Sequence, residues 1–164
     1  MIVELYTYVE RLLVATFPAN EYRPLPELKK MTDGRDNFLM NVLLDASTPV
    51  GLIAYWDFEK FYYIEYFATD SHIRNKGYGS QALQILCKQL TKSIILEIEL
   101  PDTEMAIRRK GFYERNNFVV WPNDYFQPPF REGDGCLPIL ICCHGELDSE
   151  RDFEMVKRQI HSDV

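Results

Sequence analysis

The stretch from Phe61 to Leu90 constrains this chain most. It reads FYYIEYFATD, SHIRNKGYGS, QALQILCKQL. Its first third is aromatic and β-branched, which suits a pleated, half-buried strand. Its last third places Leu83, Leu86 and Leu90 at helical spacing. Between them lies Arg74-Asn75-Lys76-Gly77-Tyr78-Gly79. A strand, a glycine turn carrying cations and a helix N-terminus together make a place for phosphate. The glycines allow a sharp turn and close backbone approach. The first helical N–H groups lack internal partners and lie at the positive end of the helix dipole. A plain β-to-α turn would use the same glycines, so the segment has to be weighed with the rest of the chain.

Two familiar phosphate loops are absent. The P-loop pattern G-x-x-x-x-G-K-[ST] is missing, which argues against a nucleotide-phosphate binder. Of the dinucleotide fingerprint G-x-G-x-x-G only G-x-G is found. What stands here is Arg-x-x-Gly-x-Gly, from Arg74 to Gly79.

The 164 residues suit one domain, residues 1–164. A net charge of −7 argues against non-specific nucleic-acid binding and favours cationic partners such as amines. There is no apolar run long enough to span a bilayer and no basic-then-apolar leader, so a cytoplasmic protein without a membrane partner is expected. Cys87, Cys136, Cys142 and Cys143 show no C-x-x-C or disulfide-framework spacing. Cys142 and Cys143 alternate along an expected strand and read as free buried thiols. The spacing of Cys136, Cys142 and His144 does not suit zinc, and no metal is expected.

In chain order, Ile2 to Tyr6 reads as a strand and Tyr8 to Phe17 as a helix with Val9, Leu12, Leu13 and Phe17 on one face. A short second helix spans Glu27 to Met31. Phe38 to Asp45 and Val50 to Asp57 form a hairpin around Thr48-Pro49, and Phe61 opens a third strand. Ser93 to Leu100 is a strand that follows a helix, hence parallel to the one at Phe61 to Ala68. Thr103 to Asn116 is a basic helix and Phe118 to Trp121 a strand. Pro122 to Gly135, with three prolines and two glycines, reads as an irregular functional loop. Leu137 to Cys143 is a buried strand. Asp148 to His161 is a last helix capped by Asp148 or Ser149. The expected class is α/β (α+β): a mixed, mostly antiparallel sheet with helices on both faces and an extra C-terminal helix.

A second motif runs Arg108-Arg109-Lys110-Gly111-Phe112-Tyr113-Glu114-Arg115-Asn116-Asn117-Phe118. With Arg74 to Gly79 and the order of elements, it resembles the GNAT superfamily of acyl-CoA-dependent N-acyltransferases over almost the whole chain. Asn117 stands where that family usually has glycine; Asn is the next-best residue for a left-handed helix end.

The resemblance implies a splayed central pair of parallel strands, with acetyl-CoA as co-substrate in the opening. Its pantetheine would pair with backbone at Phe67, Ala68 and Thr69. Its diphosphate would sit on amides of Lys76, Gly77, Tyr78, Gly79 and Ser80, beside Arg74 and Asn75. An amine would attack the thioester directly, the acceptor being a small molecule or a peptide. Tyr113 matches the family's tyrosine that protonates the leaving thiolate. A carboxylate can assist deprotonation of the amine, and Glu65 and Glu97 are both candidates. Glu65 is expected to share the face of Phe67. Arg108 and Arg109 are candidate phosphate contacts. Tyr125, Phe126, Gln127 and Phe130 are candidates for lining the acceptor pocket. A homodimer contact through the last helix and strand, and a non-catalytic acyl-CoA-binding module with the same fold, are the alternatives carried forward.

Overall fold

A computed structural model describes residues 3–129 and 132–164. The elements in order are α1 (Val3–Thr16), α2 (Leu25–Gly34), β1 (Phe38–Asp45), β2 (Thr48–Asp57), β3 (Phe61–Thr69), α3 (Tyr78–Gln89), β4 (Ser93–Glu99), α4 (Glu104–Arg115), β5 (Val119–Val120), β6 (Tyr125–Gln127), β7 (Leu137–His144) and α5 (Phe153–Asp163). The strands form one seven-stranded sheet in the order β1-β2-β3-β4-β7-β5, with β6 also paired to β7. Among the described residues only the β3–β4 pairing is parallel; the other pairings are antiparallel. No helix among the described residues is long and apolar enough to cross a membrane.

The alternation of side chains across the sheet builds two cores. One face carries Trp56, Phe61, Tyr63, Tyr66 and Ile95, covered by Val9 and Leu13 of α1, Leu28 of α2, and Val156 and Ile160 of α5. The opposite face carries Ile53, Ile64, Ile94, Leu96 and Ile98, covered by Leu83 and Leu86 of α3 and Tyr113 of α4. Cys142 and Cys143 are free and buried, one in each core.

Four local expectations are corrected. Val3 to Tyr6 belongs to helix α1 rather than a strand; Ile2 lies outside the described residues. An apolar run this short fits either period, and docking against the sheet decides. Thr48 and Pro49 are in β2, and the turn is Ala46-Ser47, with Ala46 at φ 52. Pro49 is tolerated because the ladder shifts register there, between Leu43 and Leu44. The 122–135 segment is not wholly irregular: Tyr125, Phe126 and Gln127 pair with β7. Finally, Asp148 closes a turn, accepting from the amides of Glu150 and Arg151, and α5 begins only at Phe153.

Asn117 sits at φ 66, the left-handed conformation expected of it. The turn after α4 brings Phe118 N to Tyr113 O at 3.0 Å. Asn117→Gly should leave stability unchanged or slightly raised. Asn117→Val, β-branched at positive φ, should cost about 1–2 kcal/mol, read from urea denaturation midpoints at constant m-value.

Candidate active site

The parallel pairing of β3 and β4 runs only from Phe61–Ser93 to Ile64–Leu96. Beyond it the strands part. The cause lies at Glu65. Ala54 faces Tyr66 and Tyr55 faces Ile64, so Glu65 is the extra residue of a β-bulge. Its carboxylate accepts from Trp56 Nε1 at 2.8 Å and from Arg23 Nε at 2.8 Å, and its side chain is 1% exposed. The bulge also corrects the expected facing. Glu65 turns toward Trp56 and Arg23, on the side of Tyr66, whose hydroxyl accepts from Arg23 N. Phe67 packs in the opposite core.

On the α3–α4 side the gap opens into a cleft of about 620 Å³. Of the residues named from the sequence as coenzyme contacts, Phe67, Ala68, Thr69, Arg74, Asn75, Gly77, Tyr78, Gly79 and Ser80 line it, and Lys76 is not among the lining residues. The turn is set by two positive φ values, Asn75 at 70 and Gly77 at 78. Helix α3 makes its first bond from Gln81 N to Gly77 O, so the amides of Tyr78, Gly79 and Ser80 precede any helical partner. Arg74 and Arg115 line the cleft and have no ion pair among the described residues. Arg108 and Arg109 also line it, but each already holds a carboxylate: Glu104 at 2.6 Å and Glu99 at 2.7 Å. Asn116 is buried and ties the two helices. It accepts from Ser80 Oγ at 2.9 Å and donates to Phe112 O at 2.8 Å. Sequence reading passed over Asn116, Ile73, Met105 and Phe112 as cleft residues, because a helix end gives no local sign of the neighbour it faces.

On the other side of the gap lies a small cavity of about 130 Å³. Glu21, Glu65, Glu97, Glu99 and Gln127 are among its walls, and Phe67, Arg109 and Tyr113 border both spaces. Glu97 is held by Tyr63 OH, which donates to Oε1, and by Gln127 Nε2 at 3.4 Å. The Tyr125 hydroxyl bears on the same carboxylate. Oε2 is buried with no direct hydrogen-bond partner among the described residues. Burial pushes the Glu97 carboxyl up to about 7, against the donors that pull it down. Burial, and then Glu99, also raise the Glu21 carboxyl. Tyr113 is 8% exposed and packs edge-on against Phe112 and Phe118. Burial raises its phenol well above the ordinary value, so it stays protonated near neutrality.

Of the loop candidates, Gln127 lines the small cavity and Tyr125 reaches Glu97, while Phe126 is 53% exposed. Phe130 lies outside the described residues. Glu21 was missed from the sequence; an isolated glutamate before a proline-rich turn carries no sign of where it points.

Comparison with known proteins agrees with this geometry. The acetyltransferase (GNAT) family profile matches residues 5–118. No curated protein matches the chain. A GNAT-family protein from Bacteroides thetaiotaomicron is 46% identical over 98% of this chain and 92% of its own, with a TM-score of 0.95. An acetyltransferase from Bacillus subtilis, solved with CoA, shares the fold at 12% identity and TM-score 0.58, over 86% of this chain and 93% of its own. An aminoglycoside 6'-N-acetyltransferase complexed with coenzyme A does so at 16% identity and TM-score 0.63, over 90% and 95%. Family match, parted β3–β4 pair and glycine turn agree: the chain belongs to the acetyltransferase (GNAT) family.

Proposed function

We propose that this protein transfers the acetyl group of acetyl-CoA to a primary amine by direct attack, with Glu97 as base and Tyr113 as acid. The observation that carries the reading is the through-going gap: Glu97 borders it on one face of the sheet and Tyr113 borders both spaces. The 620 Å³ cleft fits the coenzyme chemically. It offers the amides of Tyr78 to Ser80 and the cations Arg74 and Arg115 for phosphates. It offers the edge of Phe67 to Thr69 that faces away from β2, where the pairing with β4 has ended, for an extended amide chain, as an added strand would use it.

The chemistry follows from proton affinities. An alkylammonium has a pKa of about 10.4 and must lose a proton before it can attack. A carboxylate held near 7 is a better acceptor for that proton than one near 4. The amine nitrogen then bonds to the thioester carbon, and the C–S bond breaks as the tetrahedral intermediate collapses. The departing thiolate, whose thiol has a pKa of about 8.5, takes the proton of the Tyr113 phenol, and the second proton that the nitrogen sheds on becoming an amide restores the phenol. Glu65 is less suited to the base role, because both its oxygens already accept hydrogen bonds from Arg23 and Trp56. The four carboxylates around the small cavity favour a cationic acceptor. A non-catalytic acyl-CoA binder would have no need of a carboxylate held near neutrality.

Tyr113→Phe should lower kcat by about 10²-fold while the calorimetric Kd for CoA stays within about twofold. Glu97→Gln should remove the acid limb of the kcat/KM profile, which in the wild type should rise as pH passes through about 7. A full profile retained in Glu97→Gln would overturn the base assignment. The same residue predicts a stability effect of definite sign. The folded state binds this proton more tightly than the unfolded chain does. Its stabilisation is therefore full below about 4.5 and lost as pH climbs through about 7. Relative to wild type, Glu97→Gln should gain stability as pH rises across that window, by on the order of 3 kcal/mol at pH 8, measured by denaturant midpoints. Gly77→Ala places a side chain at φ 78. It should weaken CoA binding by about tenfold, from a strain of roughly 1–2 kcal/mol, measured by calorimetry.

A further inference from the structure

The carboxylate of Glu97 is held by one oxygen only, and the sheet accounts for this. Tyr63 pairs with Ile95 in the parallel ladder, which ends one residue later at Ile64–Leu96. Glu97 lies two residues beyond Ile95 and shares its face. The Tyr63 hydroxyl therefore crosses from β3 to β4 where the backbone pairing stops, and it donates to Glu97 Oε1. From the other side, β6 lies along β7 with Gln127 opposite Leu137. Gln127 Nε2 donates to the same oxygen at 3.4 Å. The Glu97 backbone is itself fixed by β7, where Ile141 stands opposite. Tyr63 is 1% exposed. Tyr63, Glu97 and Gln127 all line the small cavity. Oε2 is buried and has no hydrogen-bond partner among the described residues.

The two oxygens are thus inequivalent toward a proton. A protonated carboxyl carries one O–H and keeps an acceptor at its other oxygen. With the proton on Oε2, Oε1 is a carbonyl oxygen that still accepts from both donors, so neither donor has to turn when the proton arrives. With the proton on Oε1, the new O–H would meet a hydroxyl and an amide that are already donating to it. The donors therefore suit the ionised carboxylate and the acid protonated on Oε2.

We propose that Oε2 is the oxygen of Glu97 that takes the acceptor's proton, and that Tyr63 and Gln127 are positioning residues that present it by anchoring Oε1. An N–H bond of the ammonium breaks, its electron pair stays on nitrogen for the attack, and the proton bonds to Oε2. The inference rests on Glu97 being the base. Glu65 from β3, Tyr125 from β6, Glu21 from the turn before α2, Glu99 from β4, and Arg109 and Tyr113 from α4 also border the cavity or act on Glu97. All six stay as they are in the donor variants that test the proposal, so any change reads the missing donor.

The test follows the Glu97 carboxyl carbon by NMR on the full-length protein, labelled at glutamate and assigned with Glu97→Gln. Tyr63→Phe removes a donor to the ionised form, so the Glu97 midpoint should rise by about half a pH unit or more. Gln127→Met should move it the same way by less, since its bond is longer. Turnover is read as thiol release from acetyl-CoA with the fastest acceptor in a panel of primary alkylamines. The acid limb of kcat/KM should move up with the midpoint. Above that limb, where the carboxylate is ionised in every variant, kcat should fall by about fivefold or more in Tyr63→Phe, with KM for acetyl-CoA within about twofold. This fall separates positioning from tuning, because a carboxylate made only more basic would hold or raise the plateau. A plateau at wild-type height, or an unmoved midpoint, in Tyr63→Phe overturns the inference; the same result in Gln127→Met strikes Gln127 from it. Full activity in Glu97→Gln would instead remove the base, and the anchoring role with it. An inactive Glu97→Gln beside unaffected Tyr63→Phe and Gln127→Met removes the anchoring role alone.

Discussion

The site depends on β3 and β4 ceasing to pair after Ile64 and Leu96. A parallel ladder in the middle of a sheet is normally continuous, because each unpaired backbone group in a buried position costs as much as a lost hydrogen bond. Here the separation is enforced by the bulge at Glu65. The bulge is pinned in turn by two bonds to one carboxylate, from Trp56 on β2 and from Arg23 in the segment leading into α2. Removing one partner of such a buried pair leaves an uncompensated charge, so the arrangement is hard to relax piecemeal. The gap leaves main-chain groups for an extended ligand and joins the two faces of the sheet.

The two candidate carboxylates show how environment separates identical residues. Glu65 is buried against a guanidinium and an indole N–H. Among the described residues the donors to Glu97 are neutral: the Tyr63 phenol and the Gln127 amide. Without a cation its charge is poorly compensated, and its proton affinity rises into the range useful for chemistry at neutral pH. One carboxylate is therefore fixed by a cation at the bulge, and the other keeps a raised proton affinity at the edge of the gap. Arg23 and Trp56 surround the first, and Tyr63 and Gln127 the second.

The α3–α4 side of the gap was readable because it is local. Arg74 to Gly79 and the Phe112 to Phe118 segment lie on continuous turns, where glycine or asparagine must supply positive φ, as Gly77 and Asn117 do. Strand alternation likewise gave the two cores and the split of Cys142 and Cys143 between them. The small cavity on the other side was far less readable. Its walls come from α1, the turn before α2, β3, β4, α4, β6 and β7, and no short window of sequence contains their relation.

The sequence by itself determined the element order from α2 to β5, the parallel crossover and the glycine turn, because each follows from periodicity or from backbone conformations that few residues adopt. Only the tertiary structure decided that Glu65 braces the parting strands while Glu97 is left with neutral partners, and that Tyr63 and Gln127 reach Glu97 from opposite sides. A bulge shifts every later side chain to the other face, and burial sets proton affinity through neighbours distant along the chain. Both effects exist only once the chain has closed on itself.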